Sequence, residues 1–265
     1  MQDSRRAFLA SGAAVAASLA GCAARDRIPL TRGDSTATST QQSVAHDHDT
    51  QDDDQSKSSF SEETLATAKA VGTTVQRSVV KVEGSSGSGG TGWVYADDQI
   101  VTNAHVVRGD TSYTVTTFDG ETADAERIGY DEDMQPDVGL LSADVSTPPL
   151  PRGSVDDLSK GDPLLTVGHP SRVGEWLISL GRFTRYDQRI NWVLSTVPTR
   201  NGNSGGPLVT TNGDVIGLLS GSTTLGQNDP ITKSDRVFTE FPKPDQYTTG
   251  NPVSSVEELV TQWTK

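Results

Sequence analysis

Ser146-Thr147-Pro148-Pro149-Leu150-Pro151 divides the chain. Three prolines this close together remove backbone donors and fix φ, so neither a helix nor a strand runs through them. Working back from this stiff connection, short runs rich in Val, Ile, Thr and Tyr lie at 78–83, 91–95, 100–102, 112–118, 121–130 and 138–143, spaced by turn residues. Working forward, similar runs lie at 163–168, 175–183, 190–197, 207–210 and 215–220, and Asn212-Gly213 marks a tight hairpin between the last two. Short strands at this spacing form barrels or sandwiches. Two sets of similar size, one on each side of the prolines, predict an all-β fold of two packed six-stranded antiparallel barrels.

A helix is expected at each end of the folded part. Ser61-Glu62-Glu63 opens the first, with Leu65, Ala68 and Val71 on one face and a stop near Gly72. The second is expected over 254–263. Ser254 and Ser255 each precede a glutamate three residues on, and Val256, Leu259 and Val260 share a face. The expected organisation is a signal segment at 1–22, a linker at 23–58, a first barrel with its helix at 59–150, and a second barrel with the C-terminal helix at 151–265.

Residues 1–22 read as an address. Arg5-Arg6 precedes Phe8-Leu9 and a weakly apolar Ala-rich stretch, the order of an export signal. The paired arginines resemble a twin-arginine (Tat) signal. Leu19-Ala20-Gly21-Cys22 resembles a lipobox, in which Cys22 is acylated and becomes the mature N-terminus. The expectation is an extracytoplasmic lipoprotein held at a membrane through Cys22. Residues 23–58 are Ser, Thr, Asp and Gln with almost no large apolar side chain, so they cannot offset chain entropy and read as a tether. His46-Asp47-His48-Asp49 within it reads as a solvated polar run, not a metal site.

The 265 residues carry a formal net charge of −13. Nucleic acid needs basic patches, so it is not an expected partner. Acidic residues spread along the whole chain fit adaptation to high salt. The single cysteine, Cys22, allows no intrachain disulfide. No cofactor or metal is expected.

Asn201-Gly202-Asn203-Ser204-Gly205-Gly206-Pro207 is where chemistry is expected. A serine hydroxyl needs a base within hydrogen-bond reach, and the base needs a partner to hold its tautomer. Outside the linker there are two histidines. His169 sits between Gly168 and Pro170 as a structural turn residue, whereas His105 follows the strand at 100–102. Asp137 precedes the apolar Val138-Gly139-Leu140-Leu141, while Asp131 and Asp133 lie in a polar run. The order His, Asp, Ser differs from that of α/β-hydrolases and subtilisins.

The blocks Thr102-Asn103-Ala104-His105-Val106-Val107, Asp137-Val138-Gly139-Leu140-Leu141 and Gly202-Asn203-Ser204-Gly205-Gly206-Pro207 resemble the three catalytic blocks of trypsin-like serine peptidases. With Asn103, Asn203 and no disulfides, the resemblance is closest to the HtrA/Deg group and covers about 75–225. It implies His105 as general base, Asp137 as its orienting carboxylate and Ser204 as nucleophile. It also implies an oxyanion hole from the N–H groups of Gly202 and Ser204, and Ser220 as hydrogen-bond support for Asp137. Pro198, Thr199, Leu218 and Leu219 would line a specificity pocket for a small or aliphatic residue, since no Asp precedes the nucleophile there. Asn203 stands where zymogen-type trypsins carry Asp, so no such activation switch is expected. About 60 residues follow Ser204, and strands and the last helix need them, so no PDZ domain is expected. Group members trimerise through N-terminal aromatics, for which Phe60 is the candidate. The implied substrates are proteins or peptides, cleaved in quality control or processing. The rival reading is a protease-fold binding or chaperone-like module with little turnover.

Overall fold

The computed structural model describes residues 60–221, 235, 237–239 and 247–265. The first barrel contains β1 (Val79–Gly84), β2 (Gly89–Ala96), β3 (Gln99–Thr102), β4 (Ser112–Thr116), β5 (Thr122–Tyr130) and β6 (Gly139–Ser142). Its ring order is β1-β2-β3-β6-β5-β4, closed by antiparallel pairing of β4 with β1. The second contains β7 (Pro163–Gly168), β8 (Leu177–Asp187), β9 (Trp192–Ser195), β10 (Pro207–Thr210), β11 (Val215–Gly221) and, beyond a two-residue strand β12 (Val237–Phe238), β13 (Thr248–Pro252). Its ring runs β8-β7-β10-β11-β13-β9 and closes through β8–β9, with β12 added in parallel on β8. Closure leaves no open sheet edge within either ring. The expected two-barrel, all-β fold is borne out.

Alternation along each strand divides its residues between two cores. Leu141, Val94 and Ile100 fill the first barrel, and Leu164, Leu208, Ile216 and Leu219 fill the second. Their neighbours Leu140, Trp93, Val101, Leu165, Val209 and Leu218 face a shared core between the barrels. This explains runs such as Leu140-Leu141 and Leu218-Leu219: the strand is buried on both faces, so the apolar pattern is continuous. The shared core holds the barrels in register, and the candidate site spans them.

Helix α1 (Glu62–Val75) starts where expected, with the Ser61 hydroxyl accepting from Thr64 N–H at 3.1 Å. It does not stop at Gly72. A Cβ there would lie 2.7 Å from Ile178 side-chain atoms, so this glycine lets the helix lie close against β8. Helix α3 (Val253–Trp263) follows β13 directly, and its N-cap is Pro252, with no side-chain capping bond. Ser255 is buried and its hydroxyl accepts from Asn191 Nδ2 at 2.8 Å. The serines read as caps therefore lie inside the helix. Phe60 is partly buried in its own chain, with the Arg182 guanidinium 4.2 Å from the centre of its ring.

Candidate active site

His105 lies on a one-turn helix, α2 (Ala104–Val107), directly after β3. Ala104, Val106 and Val107 are buried, and this anchors the turn while His105 stays partly exposed. Asp137 comes just before β6, and the register Thr102↔Gly139 sets it opposite the start of α2. Its Oδ1 accepts His105 N–H at 3.0 Å, and its Oδ2 lies 2.7 Å from His105 Nδ1. An ionised carboxylate only accepts, so Nδ1 carries a proton toward it, and in the neutral imidazole this tautomer leaves the lone pair on Nε2. The Asp137 side chain is 14% exposed against 36% for His105, which leaves the imidazole as the accessible half of the pair.

Ser220, expected to bond Asp137 directly, reaches it by another route. Its hydroxyl donates to Asn251 Oδ1 at 2.7 Å, and the same oxygen accepts Asp137 N–H at 3.1 Å. Asn103 Nδ2 donates to Asp137 O at 2.7 Å and to Ser220 Oγ at 3.3 Å. The aspartate is thus steadied through its backbone by Asn103 and Asn251, and Ser220 ties the two asparagines together. Asn251, on β13, carried no signal in the sequence.

Ser204 sits in the β9–β10 connection, where the backbone groups can be accounted for one by one. Residues 200–203 form a turn in which Asn203 N–H donates to Arg200 O at 3.0 Å, and Gly202 at the third position has φ +96°. That is the type II arrangement. A side chain at Gly202 would put its Cβ 2.2 Å from His169 O. The central carbonyl, Asn201 O, accepts Ser171 N–H at 2.7 Å. Gly202 O accepts the Thr91 hydroxyl at 2.7 Å. Asn203 O accepts Gly206 N–H at 2.9 Å, and Ser204 O accepts Thr91 N–H at 2.8 Å. Every carbonyl from 200 to 204 is therefore engaged. Among residues 202–206, the N–H groups of Asn203, Gly205 and Gly206 are bonded, while those of Gly202 and Ser204 have no acceptor among the described residues. No hydrogen bond joins Ser204 to His105 among the described residues.

His169 is buried, as a structural turn residue should be. Its Nδ1 accepts Trp176 N–H at 3.2 Å, and its ring meets the Trp176 ring edge-on at 4.5 Å. A cavity of about 980 Å³ opens beside the turn, bordered by Gly202, Ser171, Arg172, Glu175, Lys81 and Glu83. Lys81 Nζ pairs there with Glu83 at 3.0 Å and Glu175 at 3.1 Å. Partial burial opposes its charge, but the two carboxylates outweigh this and raise its pKa.

The expected specificity-pocket residues divide. Thr199, 6% exposed, bonds Thr248 Oγ1 at 2.8 Å. Pro198 is buried beside it. Leu218 and Leu219 are 0% and 1% exposed and pack into two different cores, so neither presents surface to a ligand in this conformation. Sequence proximity to Ser220 had placed them in the pocket, but strand alternation takes them elsewhere. Cys22, Arg5-Arg6 and His46-Asp47-His48-Asp49 lie outside the described residues. Among the described residues no group of acidic, His and Cys side chains is arranged to hold a metal, and no helix is long and apolar enough to cross a membrane.

Two closed barrels, with a His–Asp pair on one and a glycine-bracketed serine on the other, resemble a trypsin-like peptidase domain. Residues 90–218 match the family model described as the trypsin-like peptidase domain. Within that class the chain is similar to HtrA/DegP-like serine proteases. It is 35% identical over 138 residues to the probable periplasmic serine endoprotease DegP-like of Halomonas elongata, covering 49% of this chain and 29% of that protein. It is 34% identical over 143 residues to Protease Do-like 1, chloroplastic, of Arabidopsis thaliana, covering 49% of this chain and 32% of that protein. The chain thus spans about a third of the length of these curated relatives. Among solved structures, the serine endoprotease from Yersinia pestis superposes with a TM-score of 0.60 at 22% identity, covering 74% of this chain and 66% of that one. Rv3671c of M. tuberculosis superposes with a TM-score of 0.60 at 21% identity, covering 78% and 95%. At these identities the structural matches speak for the fold alone.

Proposed function

We propose that this chain is a serine endopeptidase that hydrolyses peptide bonds in proteins through Ser204, His105 and Asp137. Ser204 Oγ attacks the scissile carbonyl carbon while His105 Nε2 takes the hydroxyl proton. Asp137 offsets the imidazolium charge through the Nδ1 bond. The carbonyl oxygen becomes an oxyanion and accepts the N–H groups of Gly202 and Ser204. Collapse of the tetrahedral intermediate breaks the C–N bond, and His105 returns its proton to the leaving amine. Water, deprotonated by His105, then attacks the acyl-enzyme, and Ser204 is regenerated with release of the acid.

The observation that carries this reading is the backbone accounting at 200–206. Two N–H donors flank residue 203 with no acceptor among the described residues, while every carbonyl of residues 200–204 is engaged. Such donors act without reorganising during the reaction. The test is fluorophosphonate labelling of the full chain and of Ser204→Ala, with casein cleavage measured in high salt. Labelling and cleavage should both depend on Ser204, and undiminished cleavage by the variant would sink the proposal. The lack of a Ser204–His105 hydrogen bond favours the rival, a binding module with little turnover. That rival predicts an unlabelled serine.

The proposal extends to location. Arg5-Arg6 and Cys22 support Tat export and lipid anchoring, and the periplasmic name of the Halomonas relative supports an extracytoplasmic site. A net charge of −13 fits work in high salt. Cys22→Ser should move the protein from the detergent phase to the aqueous phase on partitioning. The trimer expectation carries less, because Phe60 is engaged by its own chain.

A further inference from the structure

The nucleophile and the base belong to different barrels, so their distance depends on how the barrels are pinned together near the site. One buried residue meets both sides. Thr91, on β2 of the first barrel, is 0% exposed. Its N–H donates to Ser204 O at 2.8 Å, and its hydroxyl donates to Gly202 O at 2.7 Å. The same hydroxyl accepts His169 N–H at 3.2 Å, so its one proton and one of its lone pairs are in use. Its carbonyl accepts the Thr102 hydroxyl at 2.7 Å, and Thr102 lies three residues before His105. At Gly205 a Cβ would come within 2.0 Å of that carbonyl, so the nucleophile loop lies directly against it.

We infer that Thr91 is a positioning residue for the reaction. It clamps Gly202 and Ser204 of the second barrel at once and ties them to the segment that carries His105. The spacing of the two oxyanion donors, and the approach of Ser204 to the base, then depend on one hydroxyl and one N–H of a fully buried residue. A Val at this position keeps the shape and removes the hydroxyl. It removes the hydroxyl's bonds to Gly202 O and His169 N–H, which frees the turn while β2 stays paired. This inference rests on the serine-peptidase reading of the site.

The test compares full-length wild type, Thr91→Val and Thr91→Ser, with Thr91→Ala in reserve should Val fail to fold. Thr91→Val should lower kcat on a peptide amide by about tenfold or more, because small displacements of reacting groups are costly, while KM changes less than about twofold. Affinity for a peptidyl boronic acid, whose oxygen occupies the oxyanion position, should fall in proportion to kcat. Thr91→Ser restores the hydroxyl and should recover most of both. Amide hydrogen exchange over 202–206 should quicken in the Val variant and not in the Ser variant. Unchanged kcat and exchange in Thr91→Val overturn the clamp, and so do equal losses in Val and Ser that track only the melting temperature. Failure of fluorophosphonate to label wild type overturns the peptidase reading instead, and the exchange comparison still decides the clamp.

Discussion

The side-chain oxygen of Asn251 accepts the backbone N–H of Asp137 at 3.1 Å. Asn251 is 2% exposed and lies on β13, far from Asp137 in sequence, and the same oxygen also holds the Ser220 hydroxyl. Replacing it with Ala leaves two donors in a low-dielectric interior without their acceptor. Asn251→Ala should destabilise the fold by about 1–3 kcal/mol and lower kcat by roughly tenfold through a looser Asp137. Urea unfolding and steady-state kinetics of the same preparation measure both effects.

Asp137→Asn keeps the shape of the pair and loses the charge. An amide can donate to Nδ1 and so favours the wrong imidazole tautomer. On the serine-peptidase mechanism kcat should fall on the order of 10⁴-fold with the fold intact. Far-ultraviolet circular dichroism and a peptide amide assay check the two halves.

Gly202→Ala tests the turn. Its φ of +96° and the 2.2 Å approach of a Cβ to His169 O both exclude a side chain. The turn must rearrange and carry the Gly202 donor away. A loss of roughly 10²–10³ in kcat is expected, and a variant within threefold of wild type would show that the donor is not used.

Gly72→Ala sets two effects against each other. Alanine favours the helix by about 1 kcal/mol, but its Cβ would press on three atoms of the fully buried Ile178 at 2.7–2.8 Å. Overpacking costs about 1–3 kcal/mol, so the variant should melt at a lower temperature than wild type, as calorimetry would read.

Asp110 gathers the β1–β2 loop. Ser86 and Ser85 hydroxyls donate to its carboxylate at 2.6 and 2.8 Å, and Ser88 adds a third bond at 3.1 Å. These bonds hold its pKa below the usual Asp value, the Ser86 hydroxyl contributing most. A carboxylate with a depressed folded pKa stabilises above its unfolded pKa, and that contribution is lost as pH falls through the folded one. The loop at 84–89 should therefore loosen only in acid, below the ordinary Asp range, and Asp110→Asn should loosen it at neutral pH. Amide exchange of residues 84–89 across pH reads this.

Patterns that depend on near neighbours were legible. The strand runs, the N-cap at Ser61 and the three blocks around His105, Asp137 and Ser204 each lie within a few residues, where turn chemistry and alternation act. What was missed depends on distant partners. β13 reads Thr-Thr-Gly-Asn-Pro, with no apolar alternation to mark it, and it is a strand because β11 and β9 pair with it on either side. Gly72 reads as a helix stop until Ile178 explains it, and Ser254 and Ser255 read as caps until β13 runs straight into the helix through Pro252. Leu218 and Leu219 look like pocket walls until alternation sends them into separate cores.

The sequence by itself determined the two strand sets and the break at Pro148–Pro151, and it put forward His105, Asp137 and Ser204 as the candidate groups, because covalent order and local conformational preference decide these. Only the tertiary structure decided how those groups are held. The orientation of the 201–202 peptide depends on Ser171, that of the 202–203 peptide on Thr91, and the seat of Asp137 on Asn103 and Asn251. Each is a hydrogen bond between residues far apart in the chain. Such bonds form only once the hydrophobic cores have brought the barrels together and removed competing water, so no local pattern in the sequence announces them.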